Sequence, residues 1–375
     1  MIFSRASAAA ICYNLGMSTS KKIVVACGGT GGHSFPGLAV AAELRSRGHE
    51  VAVWASGRSI EGSVMKSWDG ATFSTGARQL KLRNMPLNLL SMLRCRREMK
   101  RFAPHALLAM GSYASLPPVL AAKARRVPVV LHEANTVPGR AVDLLARYAK
   151  VIAISFEETA EHLRRRRTEL TGLPVRAGIA GCARLDEVPE DAFCVFVTGG
   201  SQGAHRVNEL LTQALPLVRA DLAKRVAARR LFVIHQTGAA DAEEVKRRYE
   251  AAGIEARVNA FETEMGRAFA SADLVVCRAG ASTCFELAAV GKPAFFIPLP
   301  SALRDHQHYN ALAFVKKGAA DEGVQEALTP RSIANYILHK IDSPQSLAAK
   351  AAAMRALARP DAAARVADIV EREAL

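Results

Sequence analysis

The 375-residue chain contains the same small unit twice. Residues 23–27 form a short β-branched apolar run. They lead into Gly28-Gly29-Thr30-Gly31-Gly32-His33 and a helical stretch at 35–47. Residues 193–198 lead likewise into Gly199-Gly200-Ser201-Gln202-Gly203-Ala204 and a second helical stretch. Glycine lets the backbone approach a ligand closely, and a helix start presents free N–H groups with partial positive charge. One such unit in each half predicts ligand sites that face each other across a cleft.

The surrounding pattern supports that reading. Apolar strands at 51–55, 106–110, 129–132 and 151–155 alternate with helical stretches, and the alternation restarts with strands at 231–235, 273–277 and 294–298. Strand–helix alternation means parallel sheets covered by helices on both faces. Residues 176–191 carry Gly, Pro and acids without a period and read as a linker. The domains are therefore placed at 21–175 and 192–340, with helices over 341–375 broken at Pro360-Asp361. Thr329-Pro330 signals a helix start. Residues 1–20 read as a tail or a mis-assigned start, because Met17 lies five residues before the first strand.

Composition narrows the class. No apolar run reaches the ~18–20 residues of a membrane span, so the chain reads as soluble or as resting on a membrane surface. Seven cysteines without a C-x-x-C argue for a reducing compartment and against a zinc ribbon. The net charge of +15 admits anionic lipid, nucleic acid or phosphorylated substrates.

The first loop does not fit a nicotinamide fingerprint, since Ser34 stands where the third glycine belongs. Neither loop has a Walker lysine. A third cluster, Arg278-Ala279-Gly280-Ala281-Ser282-Thr283-Cys284-Phe285-Glu286, follows a strand and opens a helix. Glu286 there is placed to accept two sugar hydroxyls, while Thr283-x-x-Glu286 also reads as a capping box. Both readings stay open on spacing alone. In Asp305-His306-Gln307-His308-Tyr309-Asn310 the histidines are a poor pair on one helix face. No D-x-D occurs, which removes the usual sign of a carboxylate-held metal. No metal and no cofactor are expected.

These segments, together with Gly111-Ser112-Tyr113, His132-Glu133-Ala134-Asn135 and Thr171-Gly172-Leu173-Pro174-Val175-Arg176, resemble the MurG family in order and spacing. The resemblance covers residues 22 to 321. That family transfers N-acetylglucosamine from UDP-N-acetylglucosamine to lipid-linked N-acetylmuramyl-pentapeptide (lipid I) in peptidoglycan synthesis. It implies a GT-B fold: two Rossmann-like parallel-sheet α/β domains facing across a cleft, with a C-terminal helix packing back on the first. Ala134, Leu173 and Ser112 depart from the family's usual Gln, Asn and Gly. A related inverting transferase acting on another lipid, such as diacylglycerol, is the near alternative. A non-catalytic UDP-sugar-binding membrane protein is the distant one.

The resemblance also implies site roles. The donor would lie mostly in the second domain. Arg176 and Ser201 would meet its diphosphate side, and the backbone near Glu262 its uracil. Ala281, Ser282, Thr283, Cys284, Phe285 and Glu286 would hold ribose and phosphate. Gln307 and Asn310 would read the sugar. Thr30, Gly31, Gly32 and Asn135 would close on it from the first domain. The reaction would be inverting and metal-independent, with His33 as general base and Glu133 as its rival. A histidine at a helix N-terminus is kept neutral by the dipole.

Residues 78–101 hold eight Lys and Arg against Glu98 alone, interleaved with leucines and methionines; Arg164–Arg167 add to the charge. This combination suits adsorption to an anionic membrane, although several of the leucines are expected in the core. Together with it, the resemblance implies a cytoplasmic chain peripheral on the inner face of the plasma membrane, with other cell-wall synthesis enzymes as partners. Nucleic acid is not expected as a partner, since neither interleaved aromatics nor a binding motif accompanies the charge.

Overall fold

The computed structural model describes residues 20–29, 31–57, 68–79, 84–224 and 229–375. Thr30, the 1–16 tail, and Leu80, Lys81, Leu82 and Arg83 of the basic segment lie outside the described residues.

The first half opens with β1 (Lys22–Ala26), α1 (Gly31–Ser46), β2 (Glu50–Ala55) and β3 (Ala71–Ser74). It continues through α2 (Met85–Phe102), β4 (Ala106–Ala109), α3 (Leu116–Ala124), β5 (Val129–Glu133) and α4 (Arg140–Leu145). It ends with β6 (Val151–Ile154), α5 (Thr159–His162) and β7 (Thr168–Leu170). Among the described residues these strands form a seven-stranded sheet ordered β3-β2-β1-β4-β5-β6-β7. All of its pairings are parallel.

The second half repeats the plan. It runs β8 (Ala192–Thr198), α6 (His205–Leu222), β9 (Arg230–Gln236), α7 (Ala242–Ala251), β10 (Glu255–Asn259), α8 (Met265–Ser271) and β11 (Leu274–Cys277). Then come α9 (Ala281–Val290), β12 (Ala294–Phe296), α10 (His306–Val315) and β13 (Ala320–Glu322). Its six described strands are ordered β10-β9-β8-β11-β12-β13, again parallel. In each sheet the chain starts in the middle, fills one side, then returns to fill the other. The order reverses beside β1 and beside β8, and a crevice opens there at the carboxyl ends of the strands. Both glycine loops leave those two strands.

Strands buried on both faces need continuous apolar runs. Ile23, Val24 and Val25 are wholly buried, as are Phe193 to Val197. Three helices follow: α11 (Pro330–Asp342), α12 (Pro344–Ala356) and α13 (Ala362–Glu373). Thr329 caps α11 by accepting from the Ser332 N–H, with Pro330 at the first helical position. The last helix crosses back to the first sheet. Val366, Ala367, Ile369 and Val370 bury against α1 and β1, at roughly 1.5–3 kcal/mol for each large side chain. Arg47 pairs with Asp368 and Glu371 on that helix at 2.6 and 2.8 Å. A second bridge between the halves is apolar. Phe156, after β6, stands 5.1 Å from Phe285 and 6.2 Å from Phe314, ring centre to ring centre.

One expectation fails in α2. Its buried stripe is Ser91, Cys95 and Met99, one residue every four. Leu87, Leu89, Leu90 and Leu93 are 48–56% exposed and Met85 is 61% exposed. The helix lies on the sheet through its small and sulfur-bearing side chains, so the described leucines of this segment face outward rather than into the core.

Candidate active site

A cavity of about 930 Å³ lies between the two halves. On the first-domain side it begins with the glycine loop. Gly29 has φ +98°, and the Tyr113 ring lies 3.0 Å from where a Cβ would stand. Helix α1 starts at Gly31, four residues before the sequence places it, so Gly31, Gly32 and His33 form its first turn and line the cavity. His33 is half-buried. Desolvation, with a smaller push from His306 in the other domain, holds its pKa down to about 4. The imidazole is therefore neutral at physiological pH.

Glu133 sits deeper, at the end of β5, and is 3% exposed. Its carboxylate accepts from the Asn135 N–H at 2.8 Å, the Asn135 amide at 3.1 Å and the Gly139 N–H at 2.9 Å. Burial pushes its pKa up to about 7, against those hydrogen bonds. Those contacts fold the loop from Ala134 to Gly139, whose Asn135 lines the cavity while Glu133 stands behind it.

On the other side, β8 leads into the second loop. Gly203 has φ +75°, and a Cβ there would come 1.9 Å from the Thr237 carbonyl oxygen. Only glycine permits that approach. Ser201 is exposed on the cavity wall. Gln236 also lines it, its amide donating to the Gly200 carbonyl at 2.7 Å. Helix α6 begins after Ala204 without a side-chain cap, leaving its N–H groups free for an anion.

Helix α9 begins at Ala281 with Gly280 as its N-cap and no side-chain cap. Thr283 is thus inside the helix, and the capping box with Glu286 does not form. Ala281, Ser282, Thr283 and Glu286 line the cavity. Cys284 and Phe285, on the opposite face, belong to the apolar core. Glu286 is 5% exposed and accepts from Arg176 Nε at 2.8 Å. Burial raises its pKa, with Arg176 opposing. The Arg176 guanidinium lies 4.3 Å from the centre of the Phe35 ring, and Ser282 Oγ donates to the Gly32 carbonyl at 3.4 Å. The two walls therefore touch here.

Gln307 lines the cavity from the first turn of α10 and accepts from the Leu299 N–H at 3.0 Å. Asn310, one turn on, is wholly buried. It accepts from the Thr136 N–H and hydroxyl at 2.9 and 3.1 Å and donates to Asn135 Oδ1 at 3.1 Å and the Ala279 carbonyl at 3.2 Å. It ties the two domains together. Glu262 is 1% exposed and turned inward to Arg257, while its neighbour Phe261 lines the cavity. Tyr113, from the quoted Gly111-Ser112-Tyr113 segment, also lines the wall, as do Gln79, Arg140, Gln236 and Phe261, to which the sequence pattern did not point. Their common signal is position: most follow the carboxyl end of a strand.

Comparison with known proteins fits this geometry. The glycosyltransferase family 28 N-terminal domain matches residues 23–154, and the family 28 C-terminal domain matches residues 194–370. A UDP-N-acetylglucosamine--N-acetylmuramyl-(pentapeptide) pyrophosphoryl-undecaprenol N-acetylglucosamine transferase of Geobacter metallireducens is 38% identical, covering 92% of this chain and 97% of its own. The enzyme of that name from Solibacter usitatus is 36% identical over 95% and 97%. The crystal structure of Acinetobacter baumannii MurG superposes with a TM-score of 0.74 at 30% identity, covering 94% of this chain and all of that one. A UDP-GlcNAc 2-epimerase from Neisseria meningitidis reaches 0.68 at 11% identity over 94% and 100%, a likeness of fold alone. The chain has the GT-B architecture and belongs to the MurG family of glycosyltransferases.

Proposed function

We infer that this chain transfers N-acetylglucosamine from UDP-N-acetylglucosamine to the 4-hydroxyl of lipid-linked N-acetylmuramyl-pentapeptide, with inversion and without a metal. The observation that carries this reading is the cavity itself. It brings the first turns of α1 and α9, the Gly200-Ser201 loop, the Arg176–Glu286 pair and the neutral His33 of the opposite domain around one space.

The acceptor oxygen attacks the anomeric carbon as the bond from that carbon to the β-phosphate oxygen breaks on the opposite side. His33 takes the hydroxyl proton, and the negative charge leaves with UDP. Helix N-termini and Arg176 offset that charge in a partly dry site. A neutral imidazole suits the base role. Glu133, already engaged by three donors and behind the wall, holds the Asn135 loop in shape.

The lipid-linked acceptor calls for a membrane-facing surface. The exposed Met85, Leu87, Leu89, Leu90 and Leu93 sit beside the exposed Arg94, Arg96 and Arg97 on α2. Gln79, just ahead of this helix, lines the cavity, so the patch adjoins its mouth. This supports a peripheral place on the cytoplasmic face of the membrane. Among the described residues no helix is long and apolar enough to cross a membrane.

The test is transfer from UDP-N-acetylglucosamine to a short-chain lipid I analogue, beside UDP-galactose with diacylglycerol. Turnover of the second pair alone sinks the acceptor assignment.

A further inference from the structure

The cavity's charged groups are unequally satisfied. Arg176 and Glu286 hold each other on the donor wall. Arg140 lines the same cavity, is exposed, and makes no ion pair or side-chain hydrogen bond among the described residues. It opens α4, where the positive end of the helix gives a cation no support. Local stability does not account for a guanidinium at that position.

Its surroundings tie it to the first glycine loop. A Cβ on Gly111 would meet the His132 carbonyl oxygen at 2.6 Å and Val142 Cγ2 at 2.9 Å, so the Gly111–Tyr113 loop rests on the first turn of α4. Tyr113 in turn packs on Gly29, next to the start of α1. Arg140 therefore shares its wall with the first glycine loop, opposite the donor loop of the second domain. Glu133 fixes its approach by accepting from the Gly139 N–H.

We propose that Arg140 is an anion-binding residue for the acceptor, its planar fork gripping a pair of phosphate or carboxylate oxygens. The proposal rests on the transfer reaction inferred above. That acceptor brings both chemistries, a diphosphate and the carboxylates of its peptide stem, while the donor's diphosphate belongs to the other wall.

The experiment compares wild type, Arg140→Gln and Arg140→Lys on two soluble acceptor analogues, both with the diphosphate, one with free stem carboxylates and one with them amidated. Losing a charged hydrogen-bond pair raises the acceptor KM by about 10- to 100-fold in Arg140→Gln. Arg140→Lys recovers part of it. The donor KM and the thermal midpoint stay unchanged. A KM effect that survives amidation assigns the diphosphate; one confined to the free carboxylates assigns the stem. Unchanged acceptor KM on both analogues overturns the proposal, as does an equal rise in donor KM. If wild type turns over neither analogue, the acceptor assignment fails separately. Arg140 is then judged by calorimetric binding of inorganic pyrophosphate to UDP-saturated protein, where equal affinity of wild type and Arg140→Gln overturns it.

Discussion

Arg176 Nε donates to Glu286 Oε1 at 2.8 Å, joining the segment that leaves the first domain to the helix that opens on the cavity from the second. Glu286 is nearly buried and Arg176 is partly open, with 7% and 29% of their side chains exposed. The carboxylate is thus held pointing at the place where ribose hydroxyls are proposed to arrive.

Glu286→Ala should weaken UDP binding by about 10- to 100-fold, since hydrogen bonds to a charged acceptor are worth ~1.5–3 kcal/mol. The thermal midpoint should change little, because Arg176 can rehydrate. Calorimetric titration and a melt on the same variant decide it. A lower midpoint with unchanged UDP affinity would make Glu286 a purely structural partner of Arg176.

His33 gives a pH prediction. Its pKa is about 4 in the folded chain, against 6.5 for a histidine in an unfolded one. Between these values the unfolded chain binds more protons. The contribution to stability is therefore complete above pH 6.5 and is lost as pH falls towards 4. Against His33→Gln, wild type should lose more stability across that window. His33→Gln should also lower kcat by roughly 10²–10⁴, the usual worth of a general base, and the acid limb of wild-type kcat/KM should lie near pH 4. A limb near 7 that survives in His33→Gln would point instead to Glu133, whose carboxyl burial lifts to about 7.

Asn310 tests the domain tie. Asn310→Leu leaves Thr136, Asn135 and the Ala279 carbonyl short of partners in a buried place, at ~1–3 kcal/mol for an unsatisfied group. The thermal midpoint should fall by several degrees. Donor KM should rise as well, because the Asn135 loop loses its anchor. An unchanged midpoint would show that water replaces the amide at no cost.

How far the sequence led depends on burial. β1 and β8 were legible because both faces are covered, so their runs are wholly apolar and end in glycine. β3, β7, β10 and β13 went unnamed. The runs Ala71–Ser74 and Glu255–Asn259 lie at sheet edges and keep polar, half-exposed residues. The start of α1 was missed because glycines are poor helix formers, and here tertiary contacts decide. Motif positions in the site were legible, but not which way each side chain points. Successive helical residues differ by about 100°. Cys284 and Phe285 thus turn to the core beside a cavity-lining Thr283, and Asn310 is buried one turn after Gln307.

Metal independence has a direct test. In the proposed mechanism helix starts and Arg176 supply the positive field, so turnover should persist in EDTA. Complete loss, restored by one specific divalent ion, would sink this.

The patch on α2 separates two forces. If α2 docks the chain on the membrane, Leu89→Ser, Leu90→Ser and Leu93→Ser together should reduce sedimentation with anionic vesicles at every salt concentration, because apolar burial is not screened. Replacing Arg94, Arg96 and Arg97 with Gln should reduce it only at low salt, at ~1 kcal/mol per basic residue near the surface, an effect that fades as the Debye length shortens to ~8 Å at physiological ionic strength. Neither set should alter the thermal midpoint, since Ser91, Cys95 and Met99 carry the buried stripe of the helix. Turnover of a soluble acceptor analogue should survive in both, while turnover of vesicle-embedded acceptor falls. No change in either assay would mean that the leucines merely face water. Loss of activity on the soluble analogue with a normal melt would bring the arginines to the acceptor itself, and the docking surface would have to lie elsewhere.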